Sequence, residues 1–121
     1  MSTGRQNIAA ALSPDGARDI PVVIPYEGIY IRDHWSALTN HPWWYEASTA
    51  VRQQCAWRRD VIAHTGQDWF DLPGFMPGPI RAQVSIECEG DQVYRFDHRA
   101  GTRRRLQPAR VGGWSLTREV E

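Results

Sequence analysis

The chain contains no lysine, so its 14 basic residues are all arginine, and 14 acidic residues balance them. Proteins that bind nucleic acid or an anionic membrane surface through general electrostatics carry a basic excess. The even balance therefore argues against both kinds of partner. The run Arg103-Arg104-Arg105 is interpreted as a solvated strand or turn, and it is weak evidence for a phosphate site.

Cysteine and long apolar runs are also scarce. Cys55 and Cys88 lie far apart and show no CxxC spacing. No segment approaches the roughly 20 apolar residues that span a bilayer, and no signal peptide is evident. We therefore expect reduced thiols and a cytoplasmic protein.

Complete catalytic signatures are missing as well. The sequence has no GxSxG elbow, no P-loop and no GxGxxG. Its histidines stand at no metal-ligand spacing, and only the fold could bring His34, Cys55 and His64 together. We expect this chain alone to bind no metal, and its pattern leaves open whether it is an enzyme.

The length suits a single domain over 1–121, with a helix-strand-helix part over 1–78 and a β-meander over 79–116. Helical spacing predicts a helix over 3–12, and the apolar run 20–24 predicts one buried strand. Within 36–66 a helix start and a long helix are predicted, with Thr39 or Asn40 as the cap, Pro42 in the first turn and Gly66 at the end. Its expected apolar stripe is Trp44, Ala47, Val51, Cys55 and Ile62.

Beyond a proline- and glycine-rich loop, the hydrophobic period changes to that of strands. Val84, Ile86 and Cys88 alternate, as do Tyr94 and Phe96, over a segment from 81 to 107 that carries turn residues at two points. These features predict an antiparallel β-meander with one face packed inward. The fold class is therefore expected to be α+β.

The segment "IPYEGIYIRDHW", residues 24–35, is the strongest candidate for a site. On an extended chain, alternate residues share a face, which here carries two phenols, a guanidinium and an imidazole around Gly28. Such a set suits an anionic or carboxylate-bearing ligand held by the arginine fork. The predicted substrate-binding residues are Tyr26, Tyr30, Arg32 and His34. The alternative is a loop that leaves a strand, with its charged residues solvated.

Four segments, in order, resemble the amino-terminal part of the uroporphyrinogen decarboxylase-like superfamily, in particular its corrinoid methyltransferase-like members. "RQNIAAALSPDGARDIPVVI" resembles the opening helix and first barrel strand, and "GIYIRDHW" resembles the segment that follows. "RRDVIAHTGQDWFDLP" resembles a "V-x-x-x-G-x-D-W" step. "DQVYRFDHRAGTRRRLQPARVGGW" resembles a β-hairpin insertion.

The resemblance implies the amino-terminal portion of a (β/α)₈ barrel, whose active site lies at the carboxyl ends of the strands. The segment 26–34 would then lie at the catalytic mouth. The implied reaction moves a methyl group between a corrinoid or thiol and a small substrate, with zinc activating the thiol. Zinc and corrinoid are thus implied by the family.

Two departures limit the resemblance. Ile29 stands where the decarboxylases have a substrate arginine, so decarboxylation is not expected. A whole barrel needs about 250 residues, and the family's zinc ligands lie in its carboxy-terminal part. We therefore expect an amino-terminal segment or small subunit, inactive alone, that works with a chain supplying the rest of the barrel.

Two other functions stay open. One is a free-standing α+β module that binds a small molecule or forms a homo-oligomer, because a bare apolar strand invites pairing. The other is a structural or phage-type accessory protein with no small ligand.

Overall fold

A computed structural model describes residues 3–22, 28–70, 77–108 and the backbone of 117–120. The described residues form a small α+β domain, as predicted, with helices first and an antiparallel sheet last. The α-helices are α1 (Gly4–Ala11), α2 (Gly28–Asp33), α3 (Trp35–Leu38), α4 (Val51–Thr65) and α5 (Gly78–Arg81), and a 3₁₀ helix spans Trp43–Ala47. The strands are β1 (Val84–Glu89), β2 (Gln92–Asp97), β3 (Thr102–Pro108) and β4 (Thr117–Val120).

The predicted amino-terminal helix is confirmed as α1. Thr3 and Gln6 form a capping box: Thr3 Oγ1 accepts the Gln6 N–H, and Gln6 Oε1 accepts the Thr3 N–H at 2.8 Å. No residue of α1 is fully buried, and Leu12, just after the helix, is 83% exposed. Packing of an apolar face therefore contributes little to the position of α1.

The buried strand predicted over 20–24 is wrong for the part that is described. Residues 20–22 form no strand, and Ile20 is 89% exposed. Val22 is 51% exposed. Pro21 has no N–H for a ladder, which weakens strand pairing at this point. Residues 23 and 24 lie outside the described residues.

The extended conformation predicted through 28–34 is also wrong, because this stretch forms α2 and leads directly into α3. Ile31 is only 2% exposed and joins Leu38, Trp57 and Val61 in one apolar cluster. Burial of this isoleucine against α4 outweighs the strand preference of a sequence rich in isoleucine and tyrosine.

The single long helix predicted to follow a cap at Thr39 or Asn40 is divided into the 3₁₀ helix and α4, and α3 precedes it. Extended backbone at Ser48 and Ala50 separates the 3₁₀ helix from α4, and the Ser48 hydroxyl accepts the Ala50 N–H at 3.0 Å. The predicted end is confirmed: Gly66 has φ +68° and its N–H bonds the Ile62 carbonyl. Glycine adopts this left-handed conformation without the steric penalty of a Cβ.

The buried face of α4 differs from the predicted stripe. Its buried residues are Gln54, Trp57, Arg58 and Val61. Val51, on the predicted stripe, is 38% exposed, and Cys55 is half-buried. Two long polar side chains therefore take inward positions that the sequence pattern assigned to apolar ones.

The predicted β-meander is confirmed, and its strands lie in the order β1-β2-β3-β4, all antiparallel. Gly90 and Gly101 turn the first two hairpins with φ of +58° and +64°. Val84, Val93 and Leu106 are the buried apolar residues of β1, β2 and β3. The 3₁₀ helix contacts β3 and β4, and the Thr49 hydroxyl donates to the Val84 carbonyl at 3.3 Å. This short helix therefore connects the helical part to the sheet.

Among the described residues, no helix combines the length and apolar character that crossing a membrane requires.

Candidate functional site

The structure brings together two of the four predicted ligand-binding residues. Tyr30 and His34 are one helical turn apart, and their rings stack with centroids 4.3 Å apart and planes 25° from parallel. His34 Nδ1 lies 3.0 Å from the Tyr30 carbonyl oxygen. Tyr30 is 52% exposed, so this ring pair presents an aromatic and ionisable surface to solvent.

Arg32 does not share that surface. On a helix, a residue two positions away points to nearly the opposite side, and the Arg32 side chain is only 6% exposed. Its Nε donates to Asp33 Oδ1 at 2.9 Å. Tyr26 lies outside the described residues. The predicted four-residue cluster therefore reduces here to the Tyr30–His34 pair, and its role in ligand binding stays a prediction.

Asp68 forms a junction between three separate segments. Asp68 Oδ1 accepts Asn7 Nδ2 at 2.8 Å, and Oδ2 accepts the Val22 N–H at 2.7 Å. Its own backbone N–H donates to the Val22 carbonyl at 2.8 Å. The bond from Val22, and then that from Asn7, hold the pKa of the Asp68 carboxyl below its usual range.

Gly4 makes the close approach of α1 to this junction sterically feasible. A Cβ at Gly4 would lie 2.1 Å from the Asp68 carbonyl oxygen, which is far inside van der Waals contact. Asp68 therefore joins the first turns of α1, the segment before residue 23 and the segment after α4 through direct contacts.

A second polar cluster lies between the 3₁₀ helix and α4, and its centre is Gln54, which is 2% exposed. Gln54 Nε2 lies within hydrogen-bond distance of the Tyr45, Glu46 and Ser48 carbonyl oxygens, at 2.9, 2.8 and 2.6 Å. These are carbonyls at the end of the 3₁₀ helix, where intrahelical partners run out. A single side-chain amide thus binds this helix end to α4.

Arg58 continues the cluster one turn further along α4. Its Nη1 donates to the Gln54 carbonyl at 3.2 Å and also to Gln54 Oε1. The guanidinium lies 4.0 Å from the centroid of the Trp57 ring, a cation–π distance. Because Arg58 is only 8% exposed, its charge is held largely out of water.

Glu46 is the titratable group of this cluster. Burial raises the pKa of its carboxyl to about 7, and the positive charge of Arg58 partly opposes that rise. Within the described part of the chain, Glu46 Oε2 and Trp57 Nε1 are buried without a hydrogen-bond partner. A carboxyl with a pKa near 7 can accept or donate a proton at neutral pH.

Sequence reasoning missed this cluster. One signal could have found it. The four buried residues of α4 recur at helical spacing and so lie on one face, but two of them are polar: Gln54, Trp57, Arg58 and Val61. A pattern search that places only apolar residues inside does not find such a face.

The residues that the structure describes do not fit a zinc site. Within the described ranges, no three side chains of the histidine, cysteine, aspartate or glutamate type lie close enough together to hold a metal ion. Zinc activation of a thiol would therefore need ligands from elsewhere.

Comparison of the chain with protein-family models, with curated proteins and with solved structures gives no match.

Proposed function

We propose that this chain is an amino-terminal segment or small subunit of a uroporphyrinogen decarboxylase-like methyltransferase, inactive alone, that contributes substrate or corrinoid contacts. The first support is the order of the four segments that resemble that family. The second, and the observation that carries the proposal, is the junction at Asp68.

Two of the four segments that carry the resemblance meet at Asp68, and the first contributes both its helix and its apolar run. Asn7 belongs to the opening "RQNIAAAL" helix, Val22 to the "IPVVI" run, and Asp68 to the "TGQDW" step. The Asp68 N–H bonds the Val22 carbonyl at 2.8 Å, so the chain before α2 and the chain after α4 lie side by side. Consecutive parallel strands of a barrel are likewise brought together by a helical crossover, although neither Val22 nor Asp68 lies in a strand in this structure.

The exposed apolar residues nearby support a partner that completes the barrel. Ile20, Val22 and Trp69 are 89%, 51% and 46% exposed, and they flank the Asp68 junction in sequence. In this proposal a second chain supplies the rest of the barrel and buries these residues.

Ligand contacts in this proposal come from the exposed Tyr30–His34 pair, with Tyr26 as a further predicted residue, whereas Arg32 lies on the other side of α2 and is only 6% exposed. The stacked phenol and imidazole offer hydrogen-bond groups and a flat apolar surface to a ligand. Any zinc and corrinoid belong to the completed enzyme, because the described residues do not form a zinc site. We place the protein in the cytoplasm, where its free Cys55 and Cys88 would stay reduced.

The experiment is co-expression of this chain with the product of the reading frame directly downstream, followed by size-exclusion chromatography with light scattering. We expect a one-to-one complex that Val22→Ser weakens at least tenfold. Val51→Ser makes the same chemical change at an exposed valine on α4 and should leave assembly unchanged. A downstream frame that encodes no βα repeat, or equal effects of both variants, would contradict the proposal.

The catalytic arm of the experiment uses the assembled complex. Methyl transfer from methylcobalamin to a small thiol should fall at least tenfold in the Tyr30→Ala and His34→Ala variants, with assembly intact. The control is His64→Ala, because His64 Nδ1 makes the same contact to a carbonyl four residues back, at 2.9 Å. Activity of the isolated chain, or equal losses at His34 and His64, would contradict the assignment.

The exposure of Ile20 and Val22 also favours a second function, that of a free-standing α+β module that covers these residues by self-association. Light scattering of the isolated chain separates the two. A stable dimer that Val22→Ser converts to a monomer would support the module, and a monomer across the micromolar range would exclude it.

A further inference from the structure

Strand β1 lies at one edge of the sheet, with β2 as its neighbour. In an antiparallel pair, residues that bond the neighbouring strand alternate with residues whose N–H and C=O groups point away from it. The His98 N–H bonds the Gln83 carbonyl at 2.7 Å, so bonded pairs recur at every second residue from this point. The residues of β1 whose backbone groups point away from β2 are therefore Val84, Ile86 and Cys88.

This edge lacks the devices that commonly protect an edge strand, which include lysine, proline, a β-bulge or a covering segment. The chain contains no lysine, Val84–Glu89 contains no proline, and the register with β2 continues without a break. Among the described residues, the outward backbone groups are met only at Val84, whose carbonyl accepts the Thr49 hydroxyl at 3.3 Å. Ile86 is half-buried and Cys88 is exposed. Most of the edge therefore offers backbone donors and acceptors to an added strand.

The outward groups of β1 match those of a second copy of the same strand. When two copies lie antiparallel about a two-fold axis at Ile86, this residue lies opposite its own counterpart. Val84 of each copy then lies opposite Cys88 of the other. All three residues with outward N–H and C=O groups thus find partners of the same kind, which is the pattern that an antiparallel ladder requires.

The glutamates of β1 favour this register over its neighbours. With the axis at Ile86, Glu87 lies opposite Ser85 of the second copy, and no like charges are directly opposed over 84–88. With the axis at residue 87, the two copies of Glu87 would be opposed, and with the axis at residue 88, Glu87 would oppose Glu89. Like charges directly opposite each other destabilise a strand pair. An axis at Ser85 would lose the bonds at Cys88, because the strand begins at Val84.

We propose that β1 pairs with β1 of a second copy of this chain, antiparallel about Ile86, and joins the two sheets of four strands into one sheet of eight. A two-fold axis normal to the sheet keeps equivalent faces on the same side. The apolar row of Val84, Ile86 and Cys88 therefore continues across the junction. A carbonyl oxygen has two lone pairs, so the Thr49 bond to Val84 is compatible with this pairing.

The inference is independent of the proposed function, because it rests on the sheet and uses no residue of the Asp68 junction. A complex with a barrel partner would then contain two copies of each chain. This dimer also differs from self-association through Ile20 and Val22, since those residues lie outside the sheet.

The test is light scattering of the isolated chain from micromolar to millimolar concentration, with hydrogen exchange of the backbone amides in the same samples. We expect a dimer whose fraction rises with concentration, and exchange of the Ile86 amide slowed at least tenfold across this range. The Glu87 amide is the internal reference, because by the alternation of bonded pairs its N–H bonds β2 in both forms. A monomer at every concentration, or a dimer in which exchange at Ile86 is unchanged, would overturn the proposal.

Substitutions at Ile86 separate the backbone from the side chain. Ile86→Pro removes an N–H that points away from β2, a position at which edge strands tolerate proline. It should weaken the dimer at least tenfold. Ile86→Ala keeps this N–H and should weaken the dimer less. A larger effect of Ile86→Ala than of Ile86→Pro would contradict backbone pairing.

Substitutions at Ser85 test the register. Ser85→Glu places a like charge opposite Glu87 of the second copy, twice in each dimer by symmetry, and should weaken association. Ser85→Arg should strengthen it, and Ser13→Glu, at an exposed serine outside the sheet, should leave it unchanged. Equal effects of Ser85→Glu and Ser85→Arg would overturn the assigned register. Thermal melting confirms folding, and the two Ser85 variants decide if Ile86→Pro is unfolded.

Discussion

Asp68 and Val22 exchange two hydrogen bonds: the Val22 N–H donates to the Asp68 carboxylate at 2.7 Å, and the Asp68 N–H donates to the Val22 carbonyl at 2.8 Å. Two residues paired through their backbones would exchange bonds in the same way, except that here the Asp68 carboxylate, and not its backbone carbonyl, accepts the Val22 N–H. Because Asn7 donates to the same carboxylate, the position of α1 depends on this pair as well.

We expect Asp68→Ala to lower the melting temperature by several degrees, and Asp68→Asn by less, since the amide oxygen can still accept one bond. The carboxyl pKa is lowered in the folded state, so its stabilisation is present above the unfolded value of about 3.9 and is lost as pH falls through the folded value. Urea unfolding at several pH values should show the wild type and Asp68→Ala converging at low pH. A gap that stays constant down to pH 2 would contradict this account.

Glu46 should give the opposite pH dependence. Its pKa rises from 4.5 to about 7 on folding, so the unfolded chain ionises first as pH increases. Stability should therefore fall between these two values, by at most about 3 kcal/mol. Glu46→Gln should remove this fall, whereas Glu87→Gln on β1 should leave it unchanged. Denaturant unfolding between pH 4 and 8 makes the comparison, and a wild-type stability that rises over this range would disprove the effect.

Substitution of Gln54 should be among the most destabilising changes in α4. Gln54→Ala removes the donor shared by three carbonyls and takes an acceptor from Arg58, which remains buried. We expect a loss of about 2 to 4 kcal/mol in the free energy of unfolding, because buried polar groups are left unsatisfied. Arg52→Ala, at an exposed position on the same helix, should change it by less than about 0.5 kcal/mol. Similar losses for both variants would show that Gln54 is not the centre of the cluster.

Arg32→Ala distinguishes a structural arginine from one that only binds ligand. Its side chain is 6% exposed and bonds Asp33, so we expect the free energy of unfolding to fall by about 2 kcal/mol. Arg99→Ala, in the exposed turn between β2 and β3, is the control. An unchanged melting temperature would contradict a structural role, and Arg32 would then be only a ligand contact, as predicted from the sequence.

The β-meander was predictable because its strand period and its turn glycines indicate the same structure. Val84, Ile86 and Cys88 alternate, and Gly90 and Gly101 stand at the turns. Gly66 was predictable for the same reason, as the C′ residue of a helix. In each case the backbone needs a positive φ angle, and the sequence has a glycine at that position.

The face of α4 that packs inward was not predictable from such local rules. Gln54 and Arg58 are buried because their partners are carbonyls of other segments and an aromatic ring, which only the tertiary structure brings near. The helix at 28–33 was missed for a related reason, since burial of Ile31 decides its conformation. The sequence therefore did not predict the helical arrangement of Tyr30 and His34, and their role in ligand binding stays a prediction.

The division of the buried residues has a consequence for cooperativity. Ile31, Leu38, Trp57 and Val61 form one cluster, whereas Val84, Val93 and Leu106 belong to the sheet. The 3₁₀ helix, with Tyr45 packed against the first cluster, connects the two. Segments with separate cores commonly open as separate units in hydrogen exchange. The amide hydrogens of the sheet and those of the helical part should therefore exchange with solvent at two distinct sets of rates. A change that loosens the end of the 3₁₀ helix should increase the difference between these rates.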